Sequence, residues 1–333
     1  MKLFFILLIL QGLLFGEQML TIATYNVENL FDLKRSGHEY KEYIPYSSSH
    51  WNKRMYTIKL KHISQVIKSI HADIIALEEI ESLQALKDLR YQLKRDGLYY
   101  KYYKIANLKN TTVKVALLTK VPFVYTHEIA VQSSYKFRNI LEAKFKVGNE
   151  NLYVLVNHWK AKSGPESMRI VSARKLMKRV KELGADKNII ALGDFNSHYE
   201  EYKTFKRKRR LNNTDGITGI NHILGTVNYQ KSADIVNLDN YTFYNLWYDV
   251  PEKERYTYIF HGKKEALDSI LVTKTLLDNK GLDYKKHSLR TYHPYYLFKR
   301  KNIYRWQMSR KYPQQHKGKG YSDHLPLIAE FIY

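Results

Sequence analysis

Cysteine is absent from the 333 residues, which excludes disulfide frameworks, cysteine-ligated zinc, iron–sulfur clusters and thiol catalysis. Acidic residues are scarce. There are 32 Asp and Glu against 55 Lys and Arg, a formal net charge of +23. A chain this poor in negative charge should seek polyanions, whether nucleic acid, anionic lipid or an anionic cell surface. No Pro/Gly/Ser-rich linker, internal repeat or break in composition divides it. Long apolar runs are also missing: Leu3 to Leu10 is too short to span a bilayer comfortably, and Gln11 and Gly12 weaken it further. With Lys2 ahead of that run and Gly16 behind it, residues 1–16 read as a secretory signal peptide. A retained membrane anchor is the other reading. What is present is an ordinary supply of core: 44% of residues are hydrophobic, which argues against disorder. The length suits one large domain or two modest ones; with no break in it, residues 17–333 read as one.

Periodicity organises that domain. Leu20 to Tyr25 reads as an opening strand, and Tyr56, Leu60, Ile63, Ile67 and Ile70 recur at helical spacing. A short apolar strand runs from Asp73 to Leu77, and a helix is expected over Ser82 to Lys94. Strand-like runs follow at Val113–Thr119, Phe123–Val131, Ile140–Val147 and Leu152–Val156. Pro165 suits a helix first turn, and Ile170, Ala173, Met177 and Val180 give that helix a buried stripe. Ile189–Leu192, Tyr256–Phe260, Leu267–Thr273 and Leu325–Phe331 complete the strands. Many strands with a few separated helices suggest an α/β or α+β domain on packed sheets.

The chemical signal lies at strand ends. Asn26 with Glu28, Glu79, Asp194 with Asn196, and Asp323 with His324 each read as acceptor or acid/base residues directly after an apolar strand. Any one of these sites alone fits an ordinary turn. Four together suggest a site. Carboxylate and amide oxygens without cysteine suit a hard cation, Mg²⁺, Mn²⁺ or Ca²⁺, with positions left for a substrate phosphate.

Six motifs, in order, resemble the endonuclease/exonuclease/phosphatase superfamily, to which deoxyribonuclease I and the abasic-site endonucleases belong. They are Tyr25-Asn26-Val27-Glu28-Asn29-Leu30-Phe31, Asp73 to Glu79, Asn157-His158-Trp159, Gly193-Asp194-Phe195-Asn196, Leu267-Asp268-Ser269-Ile270 and Ser322-Asp323-His324. The opening motif and the Asn-His-Trp-Lys stretch look most like the secreted bacterial nucleases. The resemblance implies an α/β fold, a four-layer sandwich of two packed mixed sheets flanked by helices, with the site across one edge. It also implies roles. Glu79 would be the principal metal ligand, with Asn26, Glu28 and Asp323 as further metal contacts and Ca²⁺ as a possible structural or co-activating ion. Asp194 and Asn196 would orient the attacking water. Asn26, Asn196 and Arg138 would hold phosphate. His158 and His324 would be the catalytic histidines, and Asp268 would orient His324.

Those residue types fit phosphodiester hydrolysis. The reaction needs charge neutralisation at phosphate and a positioned water with a base on one side and an acid on the other. Histidine titrates near neutrality and can take either part. Three positions depart from the family's habit: no acidic partner for His158 is evident around Tyr99 to Tyr103, Lys114 stands where an acid is common, and Ser269 follows Asp268 where histidine is frequent.

Between Asp283 and Asp323 there is no acidic residue, and residues 284–322 hold eleven Lys/Arg and nine aromatics. With the run from Lys203 to Arg210, this suggests a nucleic-acid rim of Lys206, Arg207, Lys208, Lys299, Arg300, Arg305 and Trp306. The expected protein is an exported, monomeric, divalent-metal-dependent phosphodiesterase, a low-specificity DNA endonuclease without an obligate protein partner. A sphingomyelinase-like phospholipid phosphodiesterase, gripping membrane through the aromatic stretch 291–306, is the alternative. An inactive polyanion-binding protein is the second.

Overall fold

The computed structural model describes residues 17–205, 210–226 and 240–333. The leader read over residues 1–16 lies outside them, and so do Lys206, Arg207 and Lys208 of the expected rim. No helix among the described residues is long and apolar enough to cross a membrane.

Two large mixed sheets form the centre. The first contains β1 (Met19–Leu30), β2 (Ile74–Ile80), β3 (Tyr102–Ile105), β4 (Lys114–Thr119), β13 (Asp283–Tyr284), β14 (Arg290–Thr291) and β17 (Leu327–Ile332). Its order is β13–β17–β1–β2–β4–β3, with β14 also paired to β17. The second contains β5 (Phe123–Ile129), β6 (Ile140–Val147), β7 (Glu150–His158), β8 (Asn188–Asp194), β9 (Tyr244–Asn245) and β12 (Asp268–Val272). Its order is β5–β6–β7–β8–β12–β9. Each sheet has one parallel pair, β1 with β2 and β7 with β8. A parallel pair needs a crossover, and helices α1 (Lys53–Ile70) and α3 (Glu166–Leu183) supply the two. Helix α2 (Leu83–Arg95) follows β2. Two small hairpins complete the strands: β10 (Tyr258–Phe260) with β11 (Lys263–Glu265), and β15 (Phe298–Lys299) with β16 (Asn302–Ile303).

The alternation of side chains assigns the layers. Leu20 and Ile22 of β1 join Ile74 and Ala76 of β2 against Val154, Val156, Ile190 and Leu192 of the second sheet, forming the core between the sheets. Ala23 and Tyr25 point the other way, into a core with Ile63 and Ile67 of α1 and Leu86 and Leu89 of α2. On the far side, Leu155 and Ala191 meet Ala173, Met177 and Val180 of α3. Helix, sheet, sheet, helix is the four-layer sandwich expected from the sequence. The helix starts have local causes: Asn52 caps α1 by accepting from the Met55 N–H, and Ser82 caps α2 by accepting from the Ala85 N–H.

Candidate active site

One edge of the sandwich collects the chemistry because parallel strands leave where antiparallel strands enter. His158 is the last residue of β7 and Asp194 the last of β8, and the two are register partners. Asp268 opens β12, which runs antiparallel to β8 and pairs Asp268 with Asp194. Asp323 and His324 were expected after a strand. They precede one instead: β17 begins at Leu327 and runs antiparallel to β1, so its entry lies where Asn26 of β1 stands.

Local backbone kinks aim several of these side chains. Register breaks occur between Asn26 and Leu30 on β1 and between Leu77 and Ile80 on β2. Within or beside them Glu28, Asn29 and Glu79 take left-handed φ values of 51°, 65° and 67°, and Asn196 takes 49°. Bulges of this kind re-aim side chains beside functional sites, at a conformational cost of about 1–3 kcal/mol per residue.

The polar atoms then converge. Asn26 Nδ2 donates to Glu79 Oε1 at 3.3 Å and to Asp194 Oδ2 at 3.1 Å, which links the two sheets. His158 Nε2 lies 3.5 Å from Asp194 Oδ2 and 3.9 Å from Glu79 Oε1. The Asn196 N–H donates to Asp194 Oδ1 at 2.8 Å, and its Nδ2 donates to the Trp159 carbonyl at 3.2 Å. Arg138 Nη1 donates to the same carbonyl at 3.0 Å. His324 Nδ1 is 2.7 Å from Asp268 Oδ2, and its Nε2 is 4.0 Å from Asp194 Oδ2. Thus Asn26, Glu79, Arg138, His158, Asp194, Asn196, Asp268 and His324 occupy one place.

Electrostatics divides the histidines. Burial, then Arg138 and His324, pushes His158 well below the ordinary imidazole range. Burial also pulls on His324, but Asp268 and Asp194 outweigh it and hold that group well above the ordinary range. Burial raises Asp194 to about 7, and it raises Glu79 with help from Asp323.

Some residues do other work than expected. Glu28, expected at the cation, accepts from Arg305 Nε at 2.9 Å and from the Trp306 N–H at 3.0 Å, so both its oxygens are engaged. Arg305 also reaches Asp323 Oδ2 at 3.3 Å. Trp306 is not on the rim: it is 3% exposed, and its indole N–H donates to His316 Nδ1. Trp51 meets its ring edge-on and Lys59 lies over it, which closes the ring off from solvent. Lys299 and Arg300 are exposed, as a rim requires. Lys114 donates to the Glu81 and Thr111 carbonyls, and Nδ1 of His158 has no hydrogen-bond partner among the described residues.

Sequence reasoning missed several supports. Thr257 Oγ1 donates to Asp268 Oδ2 at 2.5 Å, and Ser322 Oγ bridges the Asn26 carbonyl and the His324 N–H. Lys59, fully buried, donates to the Tyr321 carbonyl and sits over the Trp306 ring. A lysine on the apolar stripe of α1 was the available signal.

A family model described as the endonuclease/exonuclease/phosphatase family matches residues 21–221. The chain belongs to the endonuclease/exonuclease/phosphatase family. It is therefore a hydrolase of the phosphodiesterase and phosphatase type. Among curated proteins none matches the sequence. Solved structures share the fold. TDP2 of D. rerio, humanized by 14 mutations, is 15% identical with a TM-score of 0.57, over 94% of this chain and 98% of that one. D. rerio TDP2 complexed with a single-strand DNA product is 14% identical with a TM-score of 0.56, over 94% and 98%. The mannosyl-6-phosphatase of Bacteroides thetaiotaomicron VPI-5482 is 14% identical with a TM-score of 0.55, over 94% and 100%.

Enzymes of the endonuclease/exonuclease/phosphatase family are generally divalent-metal dependent, and the donor set here fits a hard cation. Buried carboxylates crowd the edge, and burial, with neighbouring carboxylates adding to it, raises Glu79 and Asp194 despite Arg138 and His324 nearby. Atoms of Asp194, Asp268 and His324 lie within 4.8 Å of one another and could also hold an ion. Against that second set, the His324 Nδ1 is committed to Asp268.

The loop after His158 is fixed from behind. Arg169 Nε meets Glu166 Oε2 at 2.6 Å with both side chains fully buried, and Arg169 Nη1 donates to the Lys160, Ala161 and Gly164 carbonyls that follow His158. Arg169→Met leaves Glu166 buried without its partner and is expected to cost about 3–5 kcal/mol. Urea denaturation checks this, and an unchanged midpoint would refute the pairing's role.

Proposed function

We propose that the chain is an exported, divalent-metal-dependent nuclease that cuts DNA internally with little sequence preference. The observation that carries this reading is the pair of buried histidines, driven apart in charge, on either side of Asp194. Such a split marks a base and an acid. Neutral His158 suits proton acceptance from the attacking water, together with Asp194. Protonated His324, steadied by Asp268 and Thr257, suits donation to the leaving oxygen. Water adds to phosphorus, the P–O bond to the leaving group breaks, and each oxygen's proton passes to or from its adjacent group. Asn26, Asn196 and Arg138 hold phosphate oxygens. Glu79 and Asp323 would hold Mg²⁺ or Mn²⁺, which when bound supplies neutralisation of phosphate and oxyanion charge.

Substrate choice is supported by charge. The excess of 55 Lys and Arg over 32 Asp and Glu favours a polyanion, and one solved structure of this fold is described with a single-strand DNA product. The membrane alternative draws less support, because the tip of the β15–β16 hairpin is Arg300 and Lys301, both exposed, while Leu297, Ile303 and Trp306 are buried. The expected role is that of a monomer working outside the cytoplasm.

Supercoiled plasmid with purified protein tests the reading. Nicking should require Mg²⁺ or Mn²⁺, weaken steeply with salt and vanish in His158→Ala. Intact plasmid beside phosphocholine release from sphingomyelin vesicles would replace DNA with phospholipid as the substrate. Salt-sensitive DNA retention without hydrolysis of either would leave only a binding protein.

A further inference from the structure

Beside His324 stands the β10–β11 hairpin, whose side chains alternate. Ile259 packs inward on the core beneath α1 and α2, which sends Tyr258 and Phe260 to the opposite face. Their rings are nearly parallel, 14° apart in plane with centroids 6.4 Å apart. The Tyr258 ring in turn lies 5.0 Å from the His324 ring, and the two residues form a backbone bridge. Phe260 is 57% exposed. Lone exposed aromatics need no explanation. This one is the outer end of a row of rings that begins on a catalytic histidine and runs into solvent.

Positive charge borders the row. Lys263, 3.5 Å from Glu265, is the register partner of Phe260 on β11, and Arg305 lies close enough to act on the Tyr258 hydroxyl. Glu28 and Asp323 fix the guanidinium through Nε and Nη2, leaving Nη1 outside those pairings on a side chain 55% exposed. A fixed cation suits a phosphate. A flat, exposed ring suits a flat, apolar face.

We propose that Tyr258 and Phe260 form a stacking shelf for an unpaired nucleobase next to the scissile phosphate, with Arg305 engaging a phosphate of that same nucleotide. The proposal rests on the nuclease reading and adds to it a preference: bases inside a duplex have both faces covered by their neighbours and cannot lie on the shelf. Single strands, flaps and frayed ends are then better substrates than intact duplex. Stacking is tolerant of base identity, because every base has a π-face, so the shelf gives strand-state selectivity without sequence selectivity.

The test uses the full mature protein with Mg²⁺ and two short single strands, oligothymidylate and its dihydrothymidine counterpart. Dihydrothymidine keeps the hydrogen-bonding edge of the base but loses its planarity. Wild-type protein is expected to show a KM about tenfold lower for the planar strand, within the range that base–aromatic stacking supplies. Phe260→Ala should raise that KM to the level of the dihydro strand with kcat unchanged, and Phe260→Trp should restore the difference. A merely structural Phe260 would move the melting temperature and treat both strands alike. DNA cleavage with no difference between the strands, or an unchanged difference in Phe260→Ala, overturns the shelf and leaves the nuclease intact. Cleavage of neither strand and no nicking of plasmid overturns the nuclease reading, and the shelf with it.

Discussion

Asp268→Asn should lower kcat by about 10²–10⁴-fold, the usual range for losing a general acid or base, with KM little changed. The substitution keeps the shape of the side chain and removes its charge. In the native site His324 Nδ1 lies 2.7 Å from Asp268 Oδ2, and Asp268 with Asp194 keeps the imidazolium protonated above the ordinary range. Around His324, Asp323, Glu78 and Glu79 also favour the charged form, His158 opposes it, and the Tyr258 ring lies 5.0 Å away. The sign of the pH effect follows. A raised pKa means that His324 loses its proton only as pH rises above the ordinary histidine value, and activity falls there. Removing the Asp268 charge lowers that pKa, so the alkaline limb of the pH–kcat profile should move toward acid. The same pairing stabilises the fold fully below the unfolded histidine pKa, and that contribution is lost as pH rises through the folded one. A profile measured on both proteins decides. An alkaline limb that stays in place in Asp268→Asn removes Asp268 from the role given to it.

Gly193→Ala should damage both stability and activity. Gly193 has φ of +126°, and a Cβ added there would lie 2.1 Å from the Asn157 carbonyl oxygen, with the Asn157 carbonyl carbon and amide nitrogen both at 3.0 Å. All three atoms are backbone, so no rotamer change relieves the overlap. Gly193 and Asn157 are register partners in the parallel pair that carries His158 and Asp194. Strain and overpacking together predict a loss of roughly 2–6 kcal/mol. Spreading β7 from β8 would also separate His158 from Asp194, so activity should fall further than stability alone dictates. Urea midpoints and nicking rates measure both. A variant as stable and active as the wild type would show that this strand contact is looser than described.

Much of this was legible in the sequence because it depends on local spacing. The stripe Tyr56, Leu60, Ile63, Ile67, Ile70 is buried on α1, and the strand runs fall within a few residues of the observed strands. The motif residues meet at one edge because His158, Asp194 and Asp268 lie at strand ends and Glu79 one residue from one. Asn26 and Glu28, expected after a strand, lie instead within β1 at its register break. What local spacing cannot encode is strand direction: Asp323 and His324 lie before β17, an entry that faces the exits of β1 and β8. Nor can it encode partners far apart in the chain. Glu28 and Arg305 are separated by 277 positions, and Lys59 and Tyr321 by 262. Trp306 read as a rim residue because cations surround it in sequence; its own burial follows from contacts with Trp51 and His316, which no period announces.

The last strand has a consequence for how the molecule is made. β17 is interior, held by β1 on one side and by β13 and β14 on the other. His324 stands just ahead of it, while Asn26 and Glu79 belong to the earliest strands. A ribosome therefore makes Asn26 and Glu79 long before it delivers His324. A nascent chain has neither the strand that closes the first sheet nor the imidazole that strand positions. The edge is complete only once His324 has been made and β17 has paired with β1.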